Sequence, residues 1–147
     1  VLHLTCFHSI YPNFTDIGQL KFIVLFLNST IGQNMVKREQ RRYGGGLNKL
    51  EPKDVENIYI INPHLLEKNQ LKKAAQLFDR LNKMLREGKD VTPVQQEIDI
   101  FLEKIVNILN GASLGPYTKE YLKIVRGIPK ESQAEVNILS PLYLVIA

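Results

Sequence analysis

Arg41, Arg42, Tyr43, Gly44, Gly45 and Gly46 follow one another without interruption, with Lys37 and Arg38 just ahead and Asn48 and Lys49 just behind. Between positions 37 and 49 five cations face the single carboxylate of Glu39, a surplus that equals the +4 formal net charge of the whole chain. The basic character is therefore local. Cations grouped beside an aromatic ring and a side-chain-free loop suit a surface that meets a row of phosphates. Three consecutive glycines lose backbone entropy on ordering, which is tolerable where the chain needs a positive φ or a close approach to another surface. If a helix runs through this segment, Lys37, Arg38, Arg41 and Arg42 fall within about 140° of arc and form one basic face. The plainer reading is that cations near a helix end answer its dipole, at about 0.3–1 kcal/mol each. Gly44 to Gly46 then form only a cap and a loose turn, and Tyr43 is a half-buried core residue instead of a stacking or hydrogen-bonding one.

Other chemistry finds less support. His3, His8 and His64 have no ligand spacing to one another or to Cys6, so no metal site is expected. The carboxylate pairs Asp54/Glu56 and Glu97/Asp99 are two residues apart, a spacing that directs them away from each other on a helix. The glycines follow a helical pattern instead of opening one, unlike a phosphate-cradling loop.

The elements that position the basic stretch come next. Residues 2–10 alternate as a strand does, and Pro12 and Asn13 mark a turn. Asp16 and Gln19 resemble a capping box that opens residues 17–42. Leu20, Ile23, Val24, Leu27 and Ile31 keep helical spacing there, while Phe22, Leu25 and Phe26 fill the other faces. This first half is a buried helix or a central strand, and length and capping favour the helix. Gly32 is placed to bend or interrupt it and Gly44 to end it. A short strand or turn is expected around Leu47 and Leu50, and a strand over 58–61. Residues 67–87 carry an apolar face of Leu71, Ala74, Ala75, Phe78, Leu81 and Leu85, closed by Gly88. Thr92, Pro93 and Gln95 read as N-cap, first helical residue and N3 of a helix reaching Gly111. A shorter helix after Thr118 stops at Gly127 and Pro129, and the apolar end of the chain, 142–146, has no clear reading.

Together these patterns predict an α+β fold, with a small sheet packed on the first long helix and a helical C-terminal half. They divide the chain into a mixed α/β segment at 1–66, a helical segment at 67–130 and a tail at 131–147. The chain of 147 residues, 44% hydrophobic and 23% charged, has the composition of a globular domain with a real core. One cysteine cannot form an internal disulfide, which favours a reducing, cytoplasmic setting. The longest apolar run, residues 22–27, is far too short to span a membrane, and no signal peptide is evident.

The run RRYGGGLNKLEPKDVENIYI from Arg41, preceded by FLNSTIGQ from Phe26, resembles the C-terminal target-recognition region of adenine-specific DNA methyltransferases of restriction-modification systems. In that family a segment reading roughly LNSS leads to RRYGGG and then KLEPSDLKNLPV. HSIYP from His8 and EIDIFLEKI from Glu97 occur in the expected order, so the resemblance covers residues 7–109. It implies duplex DNA as the partner, with Lys37, Arg41, Arg42 and Lys49 on phosphates and Tyr43, Asn48 and the glycine loop nearest the groove. It also implies a parent enzyme whose separate catalytic domain carries S-adenosylmethionine and an Asn/Asp-Pro-Pro-aromatic motif. Asn62-Pro63-His64-Leu65 lacks the second proline and the aromatic, and no cofactor site is seen in this segment. The valine at position 1 fits a piece of a longer chain. An alternative is a protein-interaction module whose helical half docks a partner subunit; its sign would be an exposed apolar stripe on residues 67–111 with the basic residues dispersed.

Recognition without chemistry has a direct test. Purified chain incubated with mixed-sequence DNA and tritiated S-adenosylmethionine should incorporate label at background level, and turnover above a protein-free control would reveal a missed active site.

Overall fold

The computed structural model describes residues 16–113, 115 and 117–118. The expected strand at 2–10, with His3, Cys6 and His8, lies outside the described residues, as do the expected helix after Thr118 and the tail at 131–147. The architecture is α+β: five α-helices and two two-stranded antiparallel ladders among the described residues.

Helix α1 (Ile17–Leu27) opens as its sequence suggests, with the Asp16 carboxylate accepting the Gln19 backbone N–H at 2.8 Å. The second half of a capping box is replaced by a tertiary contact, because the Gln19 amide meets His64 Nδ1 at 3.1 Å. Phe22, Leu25 and Phe26 are fully buried, so α1 is apolar nearly all round because other elements cover it on several sides. It packs against α4 (Lys68–Arg86), α2 (Thr30–Glu39), β3 (Ile60–Ile61) and α5 (Thr92–Gly111).

The single helix expected over 17–42 is two helices and a strand. The chain turns a corner at Asn28 and Ser29. The Asn28 amide donates to the Val24 carbonyl at 2.8 Å and closes α1. Ser29 Oγ accepts the Gly32 N–H at 3.0 Å and donates to the Phe26 carbonyl, which makes it the N-cap of α2. Serine satisfies an otherwise orphaned N–H at such a start. Asp99 on α5 adds a second cap from across the core, accepting the Thr30 N–H at 2.9 Å and the Thr30 hydroxyl at 2.6 Å. Of the two expected roles, bend or interruption, Gly32 takes the second, allowing the corner that separates α1 from α2. A Cβ there would stand 2.0 Å from the Phe26 carbonyl oxygen.

Helix α2 ends at Glu39, so Gly44 terminates no helix. Arg41–Arg42 form β1, which pairs antiparallel with β2 (Asn48–Lys49) in the register Arg41↔Lys49 and Arg42↔Asn48. A short helix, α3 (Pro52–Val55), follows. The expected strand at 58–61 narrows to β3, which pairs with β4 (Tyr117–Thr118). The strands near Leu47 and Ile58 therefore belong to separate ladders instead of one sheet, and β3 packs on α1. In the helical half, α4 matches its periodicity and Gly88 closes it at φ 64°. Helix α5 starts with Thr92 already inside it and Val91 at the N-cap; the Thr92 hydroxyl and N–H turn back to Asp90. One hydrophobic core joins both halves, from Phe22 and Phe26 through Ile60 and Ile61 to Leu81, Ile98 and Leu102.

The corner at Gly32 yields a stability prediction. Gly32→Ala should destabilise the chain by about 1–3 kcal/mol, the usual cost of overpacking, despite the better helix propensity of alanine. Urea denaturation followed by circular dichroism would measure it.

Candidate functional site

The basic residues sit on a hairpin and on the end of the helix before it. Lys37 and Arg38 occupy the last turn of α2, Gln40 caps it, and Arg41 starts β1 one residue later. The single helical face expected for Lys37, Arg38, Arg41 and Arg42 therefore does not exist, because Gln40 is extended (ψ 134°) and the backbone leaves the helix before the second arginine pair. A different geometry gathers them. Side chains of a strand alternate between faces, and residues directly opposite in a ladder share a face. Arg41 and Lys49 thus fall on one face of the hairpin, Arg42 and Asn48 on the other.

The first face is anchored. Arg41 donates from Nη2 and Nε to Asp54 Oδ1 at 2.7 and 3.1 Å. The Asp54 side chain is only 9% exposed, and its other oxygen accepts the Glu51 N–H at 2.9 Å at the start of α3. Lys49 Nζ lies 2.8 Å from Glu51 Oε1. Hydrogen bonding to Arg41, helped by the Glu51 N–H and by the guanidinium charge, holds the Asp54 carboxyl below its ordinary range although burial pushes it upward. Its partner Arg41 is shifted up in turn. Lys49 lowers Glu51 in the same way and is itself raised. Two of the sequence-predicted phosphate contacts are therefore already paired within the chain.

The second face is open. Arg42 and Asn48 line a shallow cleft with Lys37 and Gln40. Arg38 is exposed on α2 outside this cleft. Between the two strands, Tyr43 N–H bonds the Leu47 carbonyl at 2.9 Å, and Gly44–Gly46 form a tight 3₁₀ turn at the tip. Gly45 and Gly46 have φ of 81° and 79°, where a side chain is strained, whereas Gly44 has ordinary φ and open space around it. Tyr43 is 44% exposed and Leu47 63%, so the ring is not a core residue.

Sequence reasoning missed Gln40, Leu47 and the Asp54 anchor. The signal for Asp54 was the spacing of Glu51 and Asp54 around Pro52, a helix start that places a carboxylate beside the arginines. No group of three or more His, Cys, Asp or Glu residues suited to a metal occurs among the described residues. None of their helices is long and apolar enough to cross a membrane.

Residues 1–102 match the family model described as type II methyltransferase M.Eco57I, C-terminal domain. No curated protein and no solved structure matches significantly.

The anchored face predicts a pH dependence. Asp54 and Glu51 have depressed folded-state pKa values, so their contribution is complete above the unfolded carboxylate range near pH ~4 and is lost as pH falls through the folded values. Urea midpoints measured from pH 7 downward should fall steeply below about pH 4. Asp54→Asn should lower the midpoint at pH 7 and flatten this acid limb; an unchanged limb would mean the pair contributes no stability.

Proposed function

This chain belongs to the family of type II methyltransferase C-terminal domains represented by M.Eco57I, and from that premise we propose that it recognises duplex DNA for a site-specific N6-adenine methyltransferase of a restriction-modification system. The observation that carries the reading is the division of the hairpin: Arg42 stands with Lys37 on an open face, while Arg41 and Lys49 are bound to acids on the other. Arg42, Lys37 and Arg38 make no ion pair with another described residue and remain available to phosphates. Arg41 and Lys49 orient the hairpin and add positive potential from 54% and 41% exposed side chains. Asn48 and the glycine turn lie toward the groove, while Tyr43, next to Arg42 along the strand, falls on the face of Arg41 and Lys49. Methyl transfer belongs to a catalytic domain of the parent enzyme, which binds S-adenosylmethionine and receives the flipped adenine. DNA in the cytoplasm is its substrate.

The partner-docking alternative draws less support. Ala74, Leu77, Phe78 and Leu81 of α4 and Val94, Ile98, Leu102, Ile105 and Leu109 of α5 are buried in the chain's own core. Exposed large apolar side chains on these two helices are limited to Ile100 and Ile108, and the basic residues are gathered instead of dispersed.

Fluorescence-anisotropy titrations of duplex DNA at several salt concentrations test the reading. Each lost phosphate contact removes about 0.9 from the log–log salt slope. Lys37→Gln with Arg42→Gln should therefore shrink the slope by about two and leave the thermal melt nearly unchanged. Arg41→Gln should lower the melting temperature and change the slope less. Wild-type chain that binds no better than an acidic control protein would end the DNA reading.

A further inference from the structure

The open cleft holds more than cations. Gln40 and Asn48 line it beside Lys37 and Arg42, no carboxylate lines it, and neither amide side chain makes a hydrogen bond with another described residue. An amide can donate to a phosphate through its NH2 group, but its oxygen accepts a hydrogen bond that a phosphate cannot supply. A side-chain amide carries donor and acceptor side by side. That arrangement matches the N6 donor and N7 acceptor of adenine in the major groove.

Resting on the DNA reading above, we propose that Gln40 and Asn48 determine sequence specificity by hydrogen-bonding the major-groove edge of adenine, while Lys37 and Arg42 hold the adjacent phosphates. The hairpin has the form for it. A two-stranded ribbon fits the major groove, about 12 Å wide, and Gly44–Gly46 leave the tip without side chains, so the ribbon can enter between the phosphate rows. The ladder register sets Asn48 directly opposite Arg42, so a base-reading amide and a phosphate-binding cation advance together. Gln40 reaches the same cleft from the end of α2, one residue before the ribbon begins.

Selection of binding sites from a random-sequence duplex library by the full chain, wild type against Q40A/N48A, tests the proposal. The wild-type consensus should contain at least one strongly constrained A·T pair that the double variant loses. Affinity for the selected duplex should fall roughly 5- to 150-fold for each bidentate contact removed, with the salt slope and the melt unchanged. Replacing the constrained adenine by 7-deazaadenine should weaken the wild type and leave the variant's residual binding unaltered. A double variant that retains the wild-type consensus, or a wild type that binds duplex without any consensus, overturns the assignment of these amides while leaving DNA binding intact. Absence of duplex binding by the wild type overturns the DNA reading itself.

Discussion

A carboxylate nearly out of water needs its charge answered, and at Asp54 the answer comes from a strand instead of from solvent. Arg41 takes one oxygen and the Glu51 N–H takes the other. Fixing Arg41 there fixes the direction of its neighbour, because alternation along β1 sends Arg42 to the opposite side. Charge alone could not choose between two adjacent arginines. The choice is made by the turn, where Gly45 and Gly46 accept left-handed φ and Tyr43 N–H closes on the Leu47 carbonyl. A slip of one residue would exchange the two faces. The anchor and the turn together specify which arginine faces the cleft.

The position of the cleft depends in turn on the corner between α1 and α2. Helix α1 is locked into the core by Phe22, Leu25 and Phe26, and the polar corner at Asn28 and Ser29 sets the direction in which α2 departs. Asp99 reaches over from α5 to cap the start of α2, and the helix that carries Lys37 and Arg38 also packs against α3. The basic hairpin is exposed but not loosely attached.

Long-period signals made part of this readable in the sequence. Helix α4 and the body of α5 follow from apolar spacing, Gly88 from its place after the last periodic residue, and the α1 start from Asp16. The resemblance over RRYGGG pointed to the family whose model residues 1–102 match. What escaped depended on contacts distant in sequence or on very short elements. Ser29 reads as a mid-helix residue until its hydroxyl is seen to cap Gly32, and the apolar spacing of Leu27 and Ile31 runs straight across the break. Arg41 and Arg42 have ordinary helical propensity, and their two-residue ladder exists only because the turn and Asp54 hold it. Gln40 carried no signal, since its place depends on where α2 stops.

The ladder between β3 and β4 has a different kind of consequence. Ile60 and Ile61 are fully buried, and the partner strand at Tyr117 and Thr118 comes from beyond the family-matched residues 1–102. The segment that defines the family therefore does not cover its own sheet edge. Without the later strand, two isoleucines would stand beside unpaired backbone donors and acceptors, a template for pairing with a second chain. Strand β4 thus closes that edge, and a chain trimmed at residue 102 would open it and also lose Ile105 and Leu109 of α5 from the core.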